Sequence, residues 1–195
     1  MTTTLIAIII AYLVGAIPTG VILTRLVGGE DIRKVGSGNI GATNVYRVAG
    51  RKLGVITLIG DALKGLLPVL TVHWLGMGMA TVGMVAVAAF LGHCYPVYLG
   101  FKGGKGVATA LGIFLVLSPL TVFCAVIIFV ALVWKWRYVS LGSVSAAGAA
   151  PLLVLLLEKD MALFLATLVI AGLVIFRHRE NIRRLRAGTE NKFRA

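Results

Sequence analysis

Acidic side chains are scarce in this sequence: seven Asp and Glu stand against nineteen Lys and Arg, a formal net charge of +12. Such an imbalance points first to nucleic acid or to a membrane surface. Cysteine is nearly absent. Cys94 and Cys124 lie in or beside apolar runs without ligand-like spacing, which argues against a disulfide framework and leaves them as small buried hydrophobes. The three histidines, His73, His93 and His178, are far apart in sequence. One His beside one Cys, as at His93-Cys94, is a poor metal set, so no metal and no cofactor is expected. Met1-Thr2-Thr3-Thr4 lacks the basic flank of a signal peptide, so the first apolar run is expected to stay as a membrane helix.

Apolar residues are in excess. They make up 59% of the chain, with a mean hydropathy of +0.99, where soluble domains have about 45–50%. The excess is gathered into long runs, which makes the bilayer the solvent. Most of the basic surplus then sets orientation in the membrane, and nucleic acid drops out as a partner.

Six apolar stretches cover residues 5–23, 53–75, 77–91, 107–133, 139–157 and 161–176. The fourth exceeds the roughly 20 residues a span needs. Ser118-Pro119 interrupts it, and a residue before proline disfavours helix. Division there yields seven spans. With the N-terminus outside, segments 24–52, 92–106, 134–138 and the C-terminal tail face the cytoplasm and hold 17 of the 19 Lys and Arg. Six spans would put the Arg-rich tail opposite the first basic loop, against the preference of positive charge for the cytoplasm. The expected fold is therefore all-α: one polytopic membrane domain over residues 1–195, with seven transmembrane helices, some short, and the C-terminus inside. Trp134, Trp136 and Tyr138 mark an inner boundary and Trp74 an outer one. Gly142, Ala146, Ala147 and Ala150 supply the small surface that close helix packing requires.

Polar residues inside the spans need a reason. Asp61 and Lys64 fall at i, i+3 on one helix face and are expected to form a structural ion pair, although intramembrane charges also mark sites. His73 sits near an outer boundary, and His93 is expected to anchor the second inner loop.

Three segments concentrate chemistry on the inner face. The first runs from Gly36 to Arg47, GSGNIGATNVYR. It matches G-x-G-x-x-G, but without a preceding strand it is no dinucleotide fingerprint. Gly36, Gly38 and Gly41 would let backbone amides approach an anion. Ser37, Asn39, Thr43 and Asn44 add hydrogen-bonding groups, and Arg47 a two-pronged phosphate donor. The second, Gly100 to Thr109, contains Lys102-Gly103-Gly104-Lys105-Gly106 and opens onto a helix whose N-terminus favours anions. It is no Walker loop: Leu99 and Gly106 stand where Gly and Ser/Thr are required. The third, RHRENIRR from Arg177 to Arg184, continues the last span, so that His178 and Asn181 share a helix face; its arginines suit acidic lipid head groups. Together the three segments are expected to line one cationic pocket for a substrate with an acyl tail in lipid and an anionic head in water.

GSGNIGATNVYR, KGGKG and HRENIRR resemble the three motifs of the bacterial acyl-phosphate:glycerol-3-phosphate acyltransferases, in order and spacing over nearly the whole chain. Asp61-Ala-Leu-Lys64-Gly65 and Gly92-His93 through Pro96 are similar to that family as well. The resemblance implies transfer of a fatty acyl group from acyl phosphate to the sn-1 hydroxyl of glycerol 3-phosphate. The products would be 1-acylglycerol 3-phosphate and inorganic phosphate, made at the cytoplasmic face of the bacterial inner membrane. It implies that Ser37, Arg47, Lys105, His178 and Asn181 act on substrate, that the glycines and Lys102 around Lys105 hold phosphate, and that Glu180 is structural. The His-x4-Asp pair typical of acyltransferases using acyl-CoA or acyl carrier protein is missing: the residues five after each histidine are Gly78, Tyr98 and Arg183. A small anion channel or transporter using the same basic pocket is the alternative. Without Cys94 and Cys124, single Ser37→Cys, Lys105→Cys and His178→Cys substitutions should react with an impermeant thiol reagent from the same side of sealed vesicles. Lys159→Cys, in an expected outer loop, should react from the other.

Overall fold

The computed structural model describes residues 1–193, and every long regular element among them is helical. The helices are α1 (Thr2–Gly15), α2 (Thr19–Leu26), α3 (Ala42–Trp74), α4 (Met79–Cys94), α5 (Val107–Leu117), α6 (Pro119–Trp136), α7 (Val139–Leu157), α8 (Met161–Arg177) and α9 (Arg179–Arg186), with a short 3₁₀ turn at Val97–Leu99. They form two compact units, Met1–Val116 and the chain from Leu117 onward.

Among the described residues, five segments are long and apolar enough to cross a membrane: Thr2–Leu26, Ala42–Trp74, Met79–Leu99, Pro119–Trp136 and Val139–Leu157. The α8–α9 pair, bent by 56°, makes a sixth if taken as one span. Large apolar side chains such as Ile9, Ile59, Phe123 and Ile127 are exposed while Thr57, Asp61, Lys64 and Thr109 are buried. That distribution inverts the usual one in water and suits a surface covered by lipid. Trp74 and Trp134 are the most exposed of these rings, at 84% and 85%, as expected of residues at the membrane boundary.

The division of the long fourth run at Ser118-Pro119 is present, with α5 ending at Leu117 and α6 opening on Pro119. Proline is well placed there because its missing N–H would be unsatisfied in a first helical turn anyway. Ser118 Oγ bonds Glu158 at 2.6 Å and Thr121 at 2.7 Å. The division leaves α5 with 11 residues, roughly 16 Å of helix against about 30 Å of hydrocarbon.

In the first unit α1 packs on α4, and α3 on α1, α2 and α4. The approach is close because glycine faces backbone: a methyl on Gly15 would overlap Ala89, and one on Gly92 would overlap the Tyr12 carbonyl. Gly65 and Gly112 do the same between α3 and α5, against Thr109 and Ala62. Such contacts follow from the lack of a hydrophobic drive between helices in lipid, where close fit must hold them. In the second unit Gly142 of α7 seats against Phe129 and Val133 of α6.

Two breaks shape the first unit. The first span is interrupted between Gly15 and Thr19, where Pro18 cannot continue the ladder. The Ile17 carbonyl at this break accepts the Lys64 Nζ at 2.8 Å. Lys64 also meets Asp61 Oδ1 at 2.8 Å, which is the i, i+3 pair read from the sequence. The second break is Gly50, at φ 86° inside α3, so residues 42–49 form a separate helical arm before the span. Lys64→Met would leave a buried carboxylate without its cation and the Ile17 carbonyl with only the Thr19 amide as donor. Thermal unfolding in detergent should register a loss of about 3–5 kcal/mol, and Asp61→Leu combined with Lys64→Met should recover part of it.

Candidate active site

The first motif begins in the loop after α2 and ends in the helical arm of α3. Gly36 and Gly38 take φ of 61° and 68°, which glycine adopts without strain. Asn44, fully buried, organises the loop. Its Nδ2 donates to the carbonyls of Ile32, Val35 and Asn39 at 2.9–3.1 Å, and its Oδ1 accepts the Ser37 amide at 2.8 Å. A side chain at Gly36 would overlap that Oδ1. Asn39 Oδ1 accepts the Gly41 amide at 2.9 Å, and the Gly38 amide donates to Val35 at 3.0 Å. Upstream, the hydrogen bonds and charge of Arg33 hold the Asp31 carboxyl well below the usual carboxylate range.

This differs from the expectation of an amide nest. The amides of Ser37, Gly38 and Gly41 donate to protein oxygens, and the Asn44 amide group is already spent, because the loop has to close its own polar groups beside the membrane. Gly36, Gly38, Asn39, Gly41 and Asn44 shape the loop, which leaves the exposed Ser37 and Arg47 and the half-buried Thr43 as its outward-facing groups. Beneath it, Val21, Ile32, Ile40 and Val45 form an apolar cluster that Leu99 joins from the segment leading to the second motif. The first two motifs therefore lie over one core.

The second motif crosses from the end of α4 to the start of α5. Gly100, Phe101 and Gly106 have positive φ, and the Phe101 amide donates to the Pro96 carbonyl at 2.9 Å. Gly103 and Gly104 lie against the last turn of α4. A methyl on Gly103 would overlap the His93 carbonyl, one on Gly104 the His93 Nε2, and one on Gly106 the Phe90 ring. The Gly104 amide donates to the His93 carbonyl at 3.1 Å. The loop delivers a half-buried Lys105 and an exposed Lys102 to the N-terminus of α5.

The third motif belongs to the second unit. The expected continuous helix is absent: α8 and α9 meet at a 56° bend at His178, because the arginine-rich turn leaves the apolar layer there. His178 is buried, with Nδ1 at 2.8 Å from the Val174 carbonyl. A carbonyl only accepts, so Nδ1 carries the hydrogen, and in the neutral ring Nε2 holds the lone pair. Glu180 pairs with Arg183 at 2.8 Å on the surface. The carboxylate that ties the motif together is Glu190, which accepts Asn181 Nδ2 at 2.6 Å, Ser140 Oγ at 2.8 Å and Arg184 Nε at 2.7 Å. Sequence reading missed it. The only signal was that a rare acidic residue stands in a basic tail. Burial raises its pKa, but the hydrogen bonds from Asn181, Ser140 and Arg184 and the Arg184 charge outweigh that and leave it below the ordinary value.

Fold and loops together define an integral membrane helical protein with one glycine loop leading to Arg47 in the arm of α3, a second carrying Lys105, and a third motif whose His178 and Asn181 are buried. The family model described as glycerol-3-phosphate acyltransferase matches residues 5–188, and the chain belongs to that family. It is 66% identical to the glycerol-3-phosphate acyltransferase of Syntrophotalea carbinolica over the full length of both chains, and 58% identical to that of Geobacter sulfurreducens, again over both full lengths. Crystal structures of PlsY (YgiH), an integral membrane glycerol 3-phosphate acyltransferase, superpose with TM-scores of 0.94 for the glycerol 3-phosphate form and 0.92 for the lysophosphatidic acid form. Their sequences are 41% and 40% identical to this one, and each match covers 98% of this chain and 96% of the other.

A depressed carboxyl pKa stabilises the fold above the ordinary carboxyl range, and the gain is lost as pH falls through the folded value. Near neutral pH, Glu190→Gln should therefore unfold at a lower temperature than wild type. The gap should close as pH falls through the folded carboxyl's pKa, below its ordinary value of 4.5, as followed by thermal unfolding in detergent across a pH series.

Proposed function

We propose that this protein transfers a fatty acyl group from acyl phosphate to the sn-1 hydroxyl of glycerol 3-phosphate. The hydroxyl oxygen attacks the acyl carbonyl carbon and the carbonyl–phosphate bond breaks. The hydroxyl proton ends on phosphate, giving 1-acylglycerol 3-phosphate and inorganic phosphate, the first step of membrane phospholipid synthesis. The observation that carries this reading is the second glycine loop: pressed onto His93, it sets Lys105 at the start of α5, where helix-terminal amides and a cation favour phosphate together.

Phosphate is already a good leaving group in a mixed anhydride, so alignment and charge stabilisation supply most of the catalysis. Lys105, with Lys102, holds one substrate phosphate on the loop that Gly103, Gly104 and Gly106 shape. Ser37 and Arg47 orient the other, with Thr43 beside them, and Asn44 keeps their loop in shape. Asn181 and His178 orient substrate from the third motif. The His178 Nε2 lone pair suits acceptance of the glycerol hydroxyl proton. With a reference pKa near 6.5 for His and a second phosphate pKa of about 6, substrate phosphate serves as base at least as well. No acyl-enzyme intermediate is needed, and Cys94 and Cys124 have no part in it.

In the membrane, α1 with α2, then α3, α4, α5, α6, α7 and α8 account for seven crossing segments. The N-terminus lies outside and the three motifs face the cytoplasm of a bacterial inner membrane. The support is the distribution of 17 of 19 basic residues over the segments that would then face inward. The short α5 covers part of the bilayer depth, with its outer end closed by Ser118, Thr121 and Glu158. Purified protein given palmitoyl phosphate and glycerol 3-phosphate should release phosphate only when both are present. Lys105→Met and Arg47→Lys should each lower kcat/KM by about 10²-fold or more; release without glycerol 3-phosphate, or a trapped acyl-enzyme, would overturn the direct transfer.

A further inference from the structure

Three ionisable side chains, Asp61, Lys64 and His93, lie buried at 2, 5 and 3% exposure and have no part in the proposed transfer. Lys64 holds Asp61 Oδ1 and the Ile17 carbonyl, both at 2.8 Å. The same Oδ1 lies 3.8 Å from His93 Nδ1, so one edge of the imidazole faces a carboxylate anchored by Lys64. The other edge faces the second glycine loop, since Nε2 occupies the space a methyl on Gly104 would need. The Gly104 amide also bonds the His93 carbonyl. His93 thus touches the loop with both side chain and backbone, one residue before Lys105.

A structural ion pair needs only Asp61 and Lys64. It does not call for a buried imidazole wedged between their carboxylate and a glycine. We infer that Asp61 and His93 are positioning residues for the second motif: the Lys64-anchored carboxylate holds the ring, and the ring sets the height of Gly104 and with it the place of Lys105. The inference rests on the reading of this loop as the phosphate holder. A displacement of about 1 Å in such a holder is enough to cost on the order of 10²-fold in rate. The same physics explains a glycine at 104, whose φ lies outside the left-handed region: glycine is required there for space beside the ring.

Steady-state kinetics and thermal unfolding in detergent of His93→Gln, His93→Ala, Gly104→Ala and the double variant test the contact. His93→Ala should raise KM for one of the two substrates about tenfold, and His93→Gln, which keeps a polar group toward the loop, should restore much of it. Gly104→Ala alone should lose about 10²-fold in kcat/KM or fail to fold. The double variant should fold and return to the level of His93→Ala alone, because the methyl then fills the space the ring vacated, a non-additivity expected only of groups in contact. Additive losses in the double variant, or an unchanged KM for both substrates in folded His93→Ala, would overturn the inference while a crippled Lys105→Met leaves the phosphate-loop reading standing. A Lys105→Met protein with wild-type KM for both substrates would sink that reading and this inference with it.

Discussion

Hydrocarbon accepts and donates no hydrogen bond, and at two places where this chain departs from a helix, a side chain reaches across to close the gap. At the break between α1 and α2 the reach is made by Lys64, whose ammonium takes the Ile17 carbonyl and is itself neutralised by Asp61. At the first motif it is Asn44, which joins three carbonyls and one amide of the loop. At the turn from α5 to α6 the side chains of Ser118, Glu158 and Thr121 instead bond one another. Lys64 and Asn44 are thereby explained by backbone groups they satisfy before any chemistry is assigned to them.

The same constraint divides labour within the motifs. In the first, glycines at positive φ let the loop fold onto Asn44, and its amides are consumed in doing so. The side chains left facing outward there are Ser37 and Arg47. In the second, glycines permit contact of backbone with the α4 turn and the His93 ring. The loop is a thin layer over a buried imidazole and leads to Lys105. Glycine therefore serves these motifs first as an absence of bulk.

The third motif follows a different logic, because its arginines must leave the apolar layer as soon as α8 ends. The bend at His178 achieves that, and the Nδ1–H bond to Val174 fixes the ring in one tautomer. Glu190 then binds Asn181, Ser140 and Arg184 to one carboxylate. The Arg184 charge and the three hydrogen bonds keep Glu190 ionised, so that the end of the motif closes around a carboxylate.

Much of this was legible in the chain. Apolar runs of span length, the interruption at Ser118-Pro119 and the i, i+3 spacing of Asp61 and Lys64 are local properties, and helices form from local hydrogen bonds. The motifs were equally local and carried the family. What neighbours in sequence do not determine is which distant groups share a contact. That Asn44 is spent on its own loop, that His93 lies between Asp61 and Gly104, and that Glu190 takes Asn181 depend on packing between helices far apart in the chain. The length of α5 followed from the division at Ser118-Pro119, but the bend at His178 escaped the linear reading. Composition and periodicity determined the solvent and the elements; the tertiary structure decided which polar groups are occupied, because a buried hydrogen bond goes to the nearest partner in space.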